Sequence, residues 1–135
     1  MAAPSACNKK PWEFYVIESS EKLGLVKTVS RFARYDAPLA IVVCGNKEKA
    51  LSDKDNDFWI QDCSAAIENI LLTAVSLGLG SVWCGLYPME NPVSKMRNVL
   101  EVGENIVPLG LIYIGYPDVV VEGRTQYDEN CVHYL

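Results

Sequence analysis

Few side chains in this sequence are arranged for catalysis. The single histidine, His133, follows Cys131 by two positions and could form a Cys–His nucleophile pair with it, but a solvated histidine near a chain terminus is the favoured interpretation. Asp53, Asp55 and Asp57 alternate as in a calcium-binding loop, yet the glycine and glutamate that such a loop requires are out of register. We interpret that stretch as a solvated face. The sequence therefore predicts neither a catalytic side chain nor a metal site.

Two segments are better suited to binding a ligand. They are PSACNKKPWEF at Pro4–Phe14 and LGLGSVWCGLYP at Leu77–Pro88. In the first, prolines stiffen a loop that offers Ser5 and Asn8 to a planar polar ring edge; alternatively, the loop is a turn that caps the next strand. In the second, Gly85 permits close approach of a ligand to a strand end, and the alternative is a β-turn before the proline.

The glycines of the second segment also suggest a dinucleotide-binding motif. A Rossmann fingerprint requires a third glycine, a preceding strand and a following helix. Here the helix precedes the glycines and the strand follows them, so Gly78 and Gly80 are better explained as the end of a helix.

Hydrophobic patterns predict four strands interleaved with three helices. The strands are Trp12–Glu18, Leu39–Cys44, Ser81–Leu86 and Val107–Tyr116, and the helices run from Ser19 or Ser20 to Arg34, from Asp57 to Leu77, and from Asn91–Pro92 to Glu101. The second helix has the clearest three-and-four spacing, and its apolar surface is wider than one stripe, so we expect cover from more than one side. A second subunit could supply it. This interleaving indicates an α/β or α+β architecture in three layers.

Composition and charge exclude several classes of function. The 135 residues suit one domain, and the net charge of −5 with no basic run argues against nucleic acid or an anionic membrane as a partner. The longest apolar stretch, Ala65–Leu79, is too short and too polar to span a bilayer, and no secretory signal is visible, so a cytoplasmic protein is expected. Five cysteines without CxxC spacing predict reduced, mostly buried thiols.

Three segments, taken in order, resemble the FMN-dependent nitroreductase family. They are PSACNKKPWEF, AAIENILLTAVSLGLGS and PLGLIYIGYP, the last at Pro108–Pro117. The resemblance implies an α+β fold, a three-layer α/β/α arrangement around a central mixed, mainly antiparallel sheet. In the family a helical region with an Arg-Ser-x-Arg type motif for the FMN phosphate precedes the first segment. The expectation is a single nitroreductase-like domain over residues 1–135 that lacks this region.

The resemblance also implies a binding site. In the family, the loop similar to the first segment lines the flavin, the backbone at the end of the later strand faces the isoalloxazine, and an arginine in the tail meets the phosphate. The corresponding cofactor-binding residues here are Pro4, Ser5, Ala6, Asn8, Cys84, Gly85, Leu86 and Arg124. Lys10 stands where the family often has glutamine.

The implied function is an FMN-dependent NAD(P)H oxidoreductase. NADH or NADPH would reduce FMN and leave, and a small nitroaromatic or quinone-type acceptor would then take the electrons, in a ping-pong mechanism on a homodimer with FMN at the interface. Two alternatives stay open. One is a non-catalytic dimeric remnant that binds a flavin-like ligand or another protein, and the other is a thiol-based redox protein using Cys84.

Overall fold

The computed structural model describes residues 1–51, 57–119, 123 and 125–135. Four strands form one sheet: β1 at Trp12–Ile17, β2 at Leu39–Asn46, β3 at Gly80–Gly85 and β4 at Ile106–Gly115. Their order across the sheet is β1-β2-β4-β3, and each neighbouring pair is antiparallel. The prediction of four strands in a mainly antiparallel sheet is confirmed, and these strands include no parallel pair.

In the described ranges three α-helices complete the layers: α1 at Ser20–Val26, α2 at Phe58–Ser76 and α3 at Glu90–Leu100. One face of the sheet is covered by α2, whose Ile67 lies against Gly110 of β4. On the other face the Tyr113 hydroxyl donates a hydrogen bond to the carbonyl oxygen of Ala33, in the segment that follows α1. Helix α1 itself packs against α3. This arrangement agrees with the predicted α/β/α architecture.

The core lies around the two central strands. Every residue of β4 from Ile106 to Ile114 is buried, and so are most residues of β2. Because both faces of these strands are covered, their sequences are continuously apolar and do not alternate. The interpretation of Leu39–Cys44 as a strand covered on both faces is confirmed.

Two predicted helix boundaries are wrong. The first helix ends at Val26, not Arg34, because the chain tightens into turns with hydrogen bonds between residues three apart. In one of these turns the Thr28 hydroxyl donates to the carbonyl oxygen of Leu25 at 2.7 Å. The third helix begins at Glu90, two residues before Pro92, the predicted first helical residue. Pro92 is accommodated there because the first N–H groups of a helix have no partner within it.

The five cysteines are free thiols, and Cys44, Cys63 and Cys84 are buried. This agrees with the predicted reduced, mostly buried state.

On the outer side of α2, Leu72 and Val75 are 61% and 70% exposed. The described chain therefore does not supply the second covering surface that the sequence predicts for this helix. None of the helices in the described ranges has the length and apolarity needed to cross a membrane.

Candidate functional site

The loop before β1, residues 4–11, has an unusual backbone. Three of its residues, Cys7, Asn8 and Lys10, have φ values of 47°, 56° and 51° although none of them is glycine. This left-handed region is sparsely populated by non-glycine residues, and holding a residue there costs on the order of 1–3 kcal/mol. Such strain persists only where surrounding contacts impose it, and it concentrates at functional sites.

Hydrogen bonds within the loop and to α2 impose this conformation, among them one from the Lys9 amide to the Ala6 carbonyl oxygen at 3.0 Å. The Asn8 amide donates to the Ser5 carbonyl oxygen at 2.9 Å, and the Lys10 amide donates to the Ser5 hydroxyl at 2.9 Å. The Ala6 amide donates to Oδ1 of Asp62, in the first turns of α2, at 2.8 Å. Ser5 and Ala6 therefore hold the loop in place, and the Ser5 hydroxyl keeps its own hydrogen for a further partner.

The exposed side of this loop carries Pro4 and Asn8. No hydrogen bond formed among the described residues uses the Asn8 side-chain amide. This amide can donate and accept at once, which suits the edge of a heterocycle that presents both N–H and C=O groups.

Asp62 is a site residue that the sequence reading missed. Its side chain is only 5% exposed, and its second oxygen, Oδ2, has no partner among the described residues. A signal was available, since Asp62 interrupts the apolar stripe of α2 between Trp59 and Ala66. A buried carboxylate in such a stripe needs a polar partner, and here the partner is the loop.

The second part of the candidate site is the end of β3. This strand forms one edge of the described sheet, and an edge strand presents N–H and C=O groups without ladder partners. Gly85 is exposed there, and a Cβ built on it would meet nothing within 4 Å. Open space thus lies beside a backbone that a planar ligand can approach closely.

The residues flanking Gly85 play other parts. Leu86 is fully buried, its amide donates to the Leu109 carbonyl at 3.0 Å, and its own carbonyl accepts from Met89 at 3.0 Å. Leu86 therefore supports the turn and presents no free polar group to a ligand.

Cys84 points away from the open space above Gly85. Its side chain is 5% exposed, and its Sγ donates to the Phe32 carbonyl at 3.2 Å on the opposite face of the sheet. Burial raises the pKa of this thiol, which lowers the thiolate fraction near neutral pH. The geometry therefore disfavours the thiol-redox alternative.

The two parts of the candidate site lie at opposite edges of the sheet. A single row of paired residues crosses it from Phe14 through Val43 and Gly110 to Gly85. Three strand spacings separate the ends of that row, which corresponds to about 14 Å. Within one copy of the described chain, the loop before β1 and Gly85 are therefore not neighbours. Arg124, the predicted phosphate ligand, lies outside the described residues.

A cavity of about 310 Å³ lies elsewhere, between α2 and the β1 side of the sheet. Its lining is mainly apolar, with Asn69 and Thr73 as polar members, and it includes none of those predicted site residues that the structure describes. This cavity therefore does not coincide with the candidate site.

The fold and these two elements define a class: a three-layer α/β/α domain with a constrained loop before its first strand and a bare glycine at a sheet edge. The profile of the nitroreductase family matches residues 24–116. A protein of Methanothermobacter thermautotrophicus named "Putative NADH dehydrogenase/NAD(P)H nitroreductase" is 39% identical over 135 residues, covering 98% of this chain and 69% of that protein.

Solved structures agree. A protein of the same name from Bacteroides thetaiotaomicron superposes with a TM-score of 0.90 at 39% identity, over 99% of this chain and 77% of the other. An FMN-dependent nitroreductase from Clostridium difficile superposes with a TM-score of 0.87 at 33% identity, over 98% and 80%. The chain belongs to the nitroreductase family, a family of oxidoreductases.

Proposed function

We propose that this protein is an FMN-dependent NAD(P)H oxidoreductase that passes electrons to nitroaromatic or quinone-type acceptors by a ping-pong mechanism. Family membership supports the reaction class, and the similar Clostridium difficile protein is named for its dependence on FMN. The observation that carries the proposal is the strained loop, in which Cys7 and Lys10 are held left-handed while the side-chain amide of Asn8 is exposed. A loop kept at such cost is typical of a binding site.

The described residues fit a flavin ring at two places. Gly85 offers bare backbone beside open space, and Asn8 offers an amide to a polar ring edge. Bound FMN would supply reversible hydride uptake, for which no cluster of described side chains is arranged. Gly85 would admit the ring, Ser5 and Asp62 would fix the loop, and Asn8 would set the ring's orientation. For the phosphate we propose Arg124.

The separation of the two parts supports a homodimer in which each flavin contacts both subunits. The loop of one copy and the Gly85 edge of the other would meet at the interface, and the exposed side of α2 would be covered there. Burying Leu72 and Val75 in this way would remove apolar surface from water.

The first experiment is an absorbance spectrum of the purified protein after incubation with FMN and gel filtration, followed by NADH or NADPH. We expect retained flavin that bleaches with reduced nicotinamide and recovers with a nitroaromatic or quinone, and parallel double-reciprocal plots when donor and acceptor are both varied. Flavin that is retained without bleaching would instead support the non-catalytic alternative.

Two matched variants test the site. Gly85→Ala adds a methyl group to the proposed ring position, whereas Gly24→Ala adds one on the exposed side of α1, and neither Cβ meets an atom within 4 Å. We expect both proteins to fold and only Gly85→Ala to bind FMN more weakly. Equal affinity of the two variants would contradict the proposed position of the ring.

Mixing two inactive variants tests the shared site. We expect Asn8→Ala and Gly85→Val homodimers each to be impaired. If the loop and Gly85 come from different subunits, a mixed dimer contains one intact site, and refolding the two variants together restores part of the activity. If both parts come from one subunit, every site in the mixed dimer carries a defect and activity stays low.

A further inference from the structure

Trp83 lies on the edge strand β3, on the face of the sheet that α2 covers. Its indole rests on Gly110: a Cβ at Gly110 would stand 3.0 Å from Cδ1 of Trp83, still closer to its Nε1, and 3.1 Å from Cδ1 of Ile67. The absence of a side chain at Gly110 therefore lets the indole fold over β4. Trp83 as a whole residue nevertheless stays 39% exposed.

The open space above Gly85 adjoins this indole. Gly85 follows Trp83 by two positions, so both residues face the same side of the sheet. Gly85 also pairs directly with Gly110, which places two glycines opposite each other. One of them is covered by Trp83 and Ile67, and the other faces nothing within 4 Å. The result is a floor of bare backbone with an aromatic ring along one side.

We propose that Trp83 is the aromatic wall of the flavin site and contacts the isoalloxazine that lies over Gly85. This inference rests on the proposed function and adds a binding residue to it. The arrangement suits a planar aromatic ligand because the floor admits a flat ring while the indole gives it an apolar edge or face to pack against. Its position is fixed by Gly110, so little side-chain entropy is lost on binding.

Comparison with the other tryptophans makes the inference specific. The chain has three, and Trp12 and Trp59 are only 6% and 2% exposed. Trp59 donates its Nε1–H to Asp57 at 2.8 Å and packs edge-on against Tyr87. Trp83 is the tryptophan that can contact a ring in the proposed position.

The test is the ¹⁵N–¹H spectrum of the three indole N–H groups during titration with oxidised FMN, with signals assigned from Trp83→Phe and Trp12→Phe variants. We expect the Trp83 signal to shift most, because ring-current effects act only at close range. Trp83→Leu should bind FMN about fivefold to tenfold more weakly, with Trp83→Phe much nearer the wild type. Trp12→Phe is the control and should bind as the wild type does.

The outcomes separate this inference from the proposed function. If FMN binds while the Trp83 signal stays in place and Trp83→Leu keeps its affinity, the aromatic wall is refuted and the oxidoreductase proposal stands. If the Trp59 signal moves instead, the ring lies elsewhere and the inference is again refuted. If the wild-type protein binds no FMN, both proposals fail.

Discussion

The indole of Trp59 lies directly on the backbone of Gly45. A Cβ at Gly45 would stand 2.9 Å from both Cδ2 and Cζ3 of the ring and closer still to Cε3. The ring cannot easily withdraw, because it packs edge-on against Tyr87 with centroids 5.0 Å apart and its Nε1–H is bonded to Asp57. This contact seats the start of α2 on β2.

Gly45→Ala should therefore destabilise the protein. The new methyl group overlaps a ring that is held on other sides, and overpacking of this kind costs about 1–3 kcal/mol. Urea unfolding of both proteins measures the difference. Gly24→Ala is the control, since an alanine in the open position on α1 should stabilise by about 0.5–1 kcal/mol. Unchanged stability of Gly45→Ala would show that Trp59 moves freely.

Tyr113 ties the irregular segment after α1 to the sheet. Its hydroxyl donates to the Ala33 carbonyl at 2.8 Å, and Tyr113→Phe would leave that buried oxygen unpaired, at a cost of about 1–3 kcal/mol near neutral pH. Chemical denaturation of the two proteins measures this loss. A variant as stable as the wild type would show that the carbonyl finds another partner.

The contribution of Tyr113 should also depend on alkaline pH. Burial raises the pKa of Tyr113 to about 12 from an ordinary value of 10.0, so above pH 10 the phenol ionises in the unfolded chain before it does in the folded protein. The stability from this group is complete below pH 10 and is lost as pH rises towards 12. The difference between wild type and Tyr113→Phe should narrow across that window. Tyr15 has a similarly raised pKa but is common to both proteins.

Thiol reactivity should divide the cysteines into two groups. Cys7 and Cys131 are exposed, whereas burial raises the pKa values of Cys44, Cys63 and Cys84, that of Cys63 to about 12. Because the thiolate is the reactive form, we expect two fast reactions with a disulfide reagent in native protein and five after denaturation. A third fast thiol that disappears in Cys84→Ser would revive the thiol-redox alternative.

Asp62 should control the order of the loop before β1. Removing its carboxylate in Asp62→Ala deletes the acceptor of the Ala6 amide, and a hydrogen bond to a charged group contributes about 1.5–3 kcal/mol. Amide exchange at Ala6 should accelerate by about tenfold or more. Asp62→Asn keeps an acceptor and should exchange slowly, and Glu68→Ala on the exposed side of α2 should have no effect. Equal exchange in all four proteins would mean that the loop does not need Asp62.

The parts of this fold that could be predicted from the sequence are those that depend on local residue spacing and on apolar runs. Spacing along α2 located that helix to within a residue at each end, and the apolar runs located β2 and β4 closely. The end of α1 was missed because it depends on how Thr28 bonds to Leu25, a local competition that periodicity does not register.

The candidate site was only partly accessible to sequence reasoning. Asparagine suits a turn and glycine permits close approach of a ligand, so Asn8 and Gly85 could be predicted as binding residues. The roles of Asp62 and Trp83 depend on partners far along the chain, Ala6 for one and Gly110 for the other. Such pairings become visible only when the fold brings the residues together.

The order of the strands has a consequence for biosynthesis. The two central strands are β2 and β4, with Leu39 opposite Ile114 and Asn46 opposite Ile106. The four-stranded sheet therefore cannot form until β4 has been synthesised. During translation, α2 and the apolar strand β2 are synthesised before β4, the strand against which they pack. Contacts of this sequence separation slow folding and leave apolar surface open to association. The nascent chain should therefore depend on protection at the ribosome until the segment through Gly115 emerges.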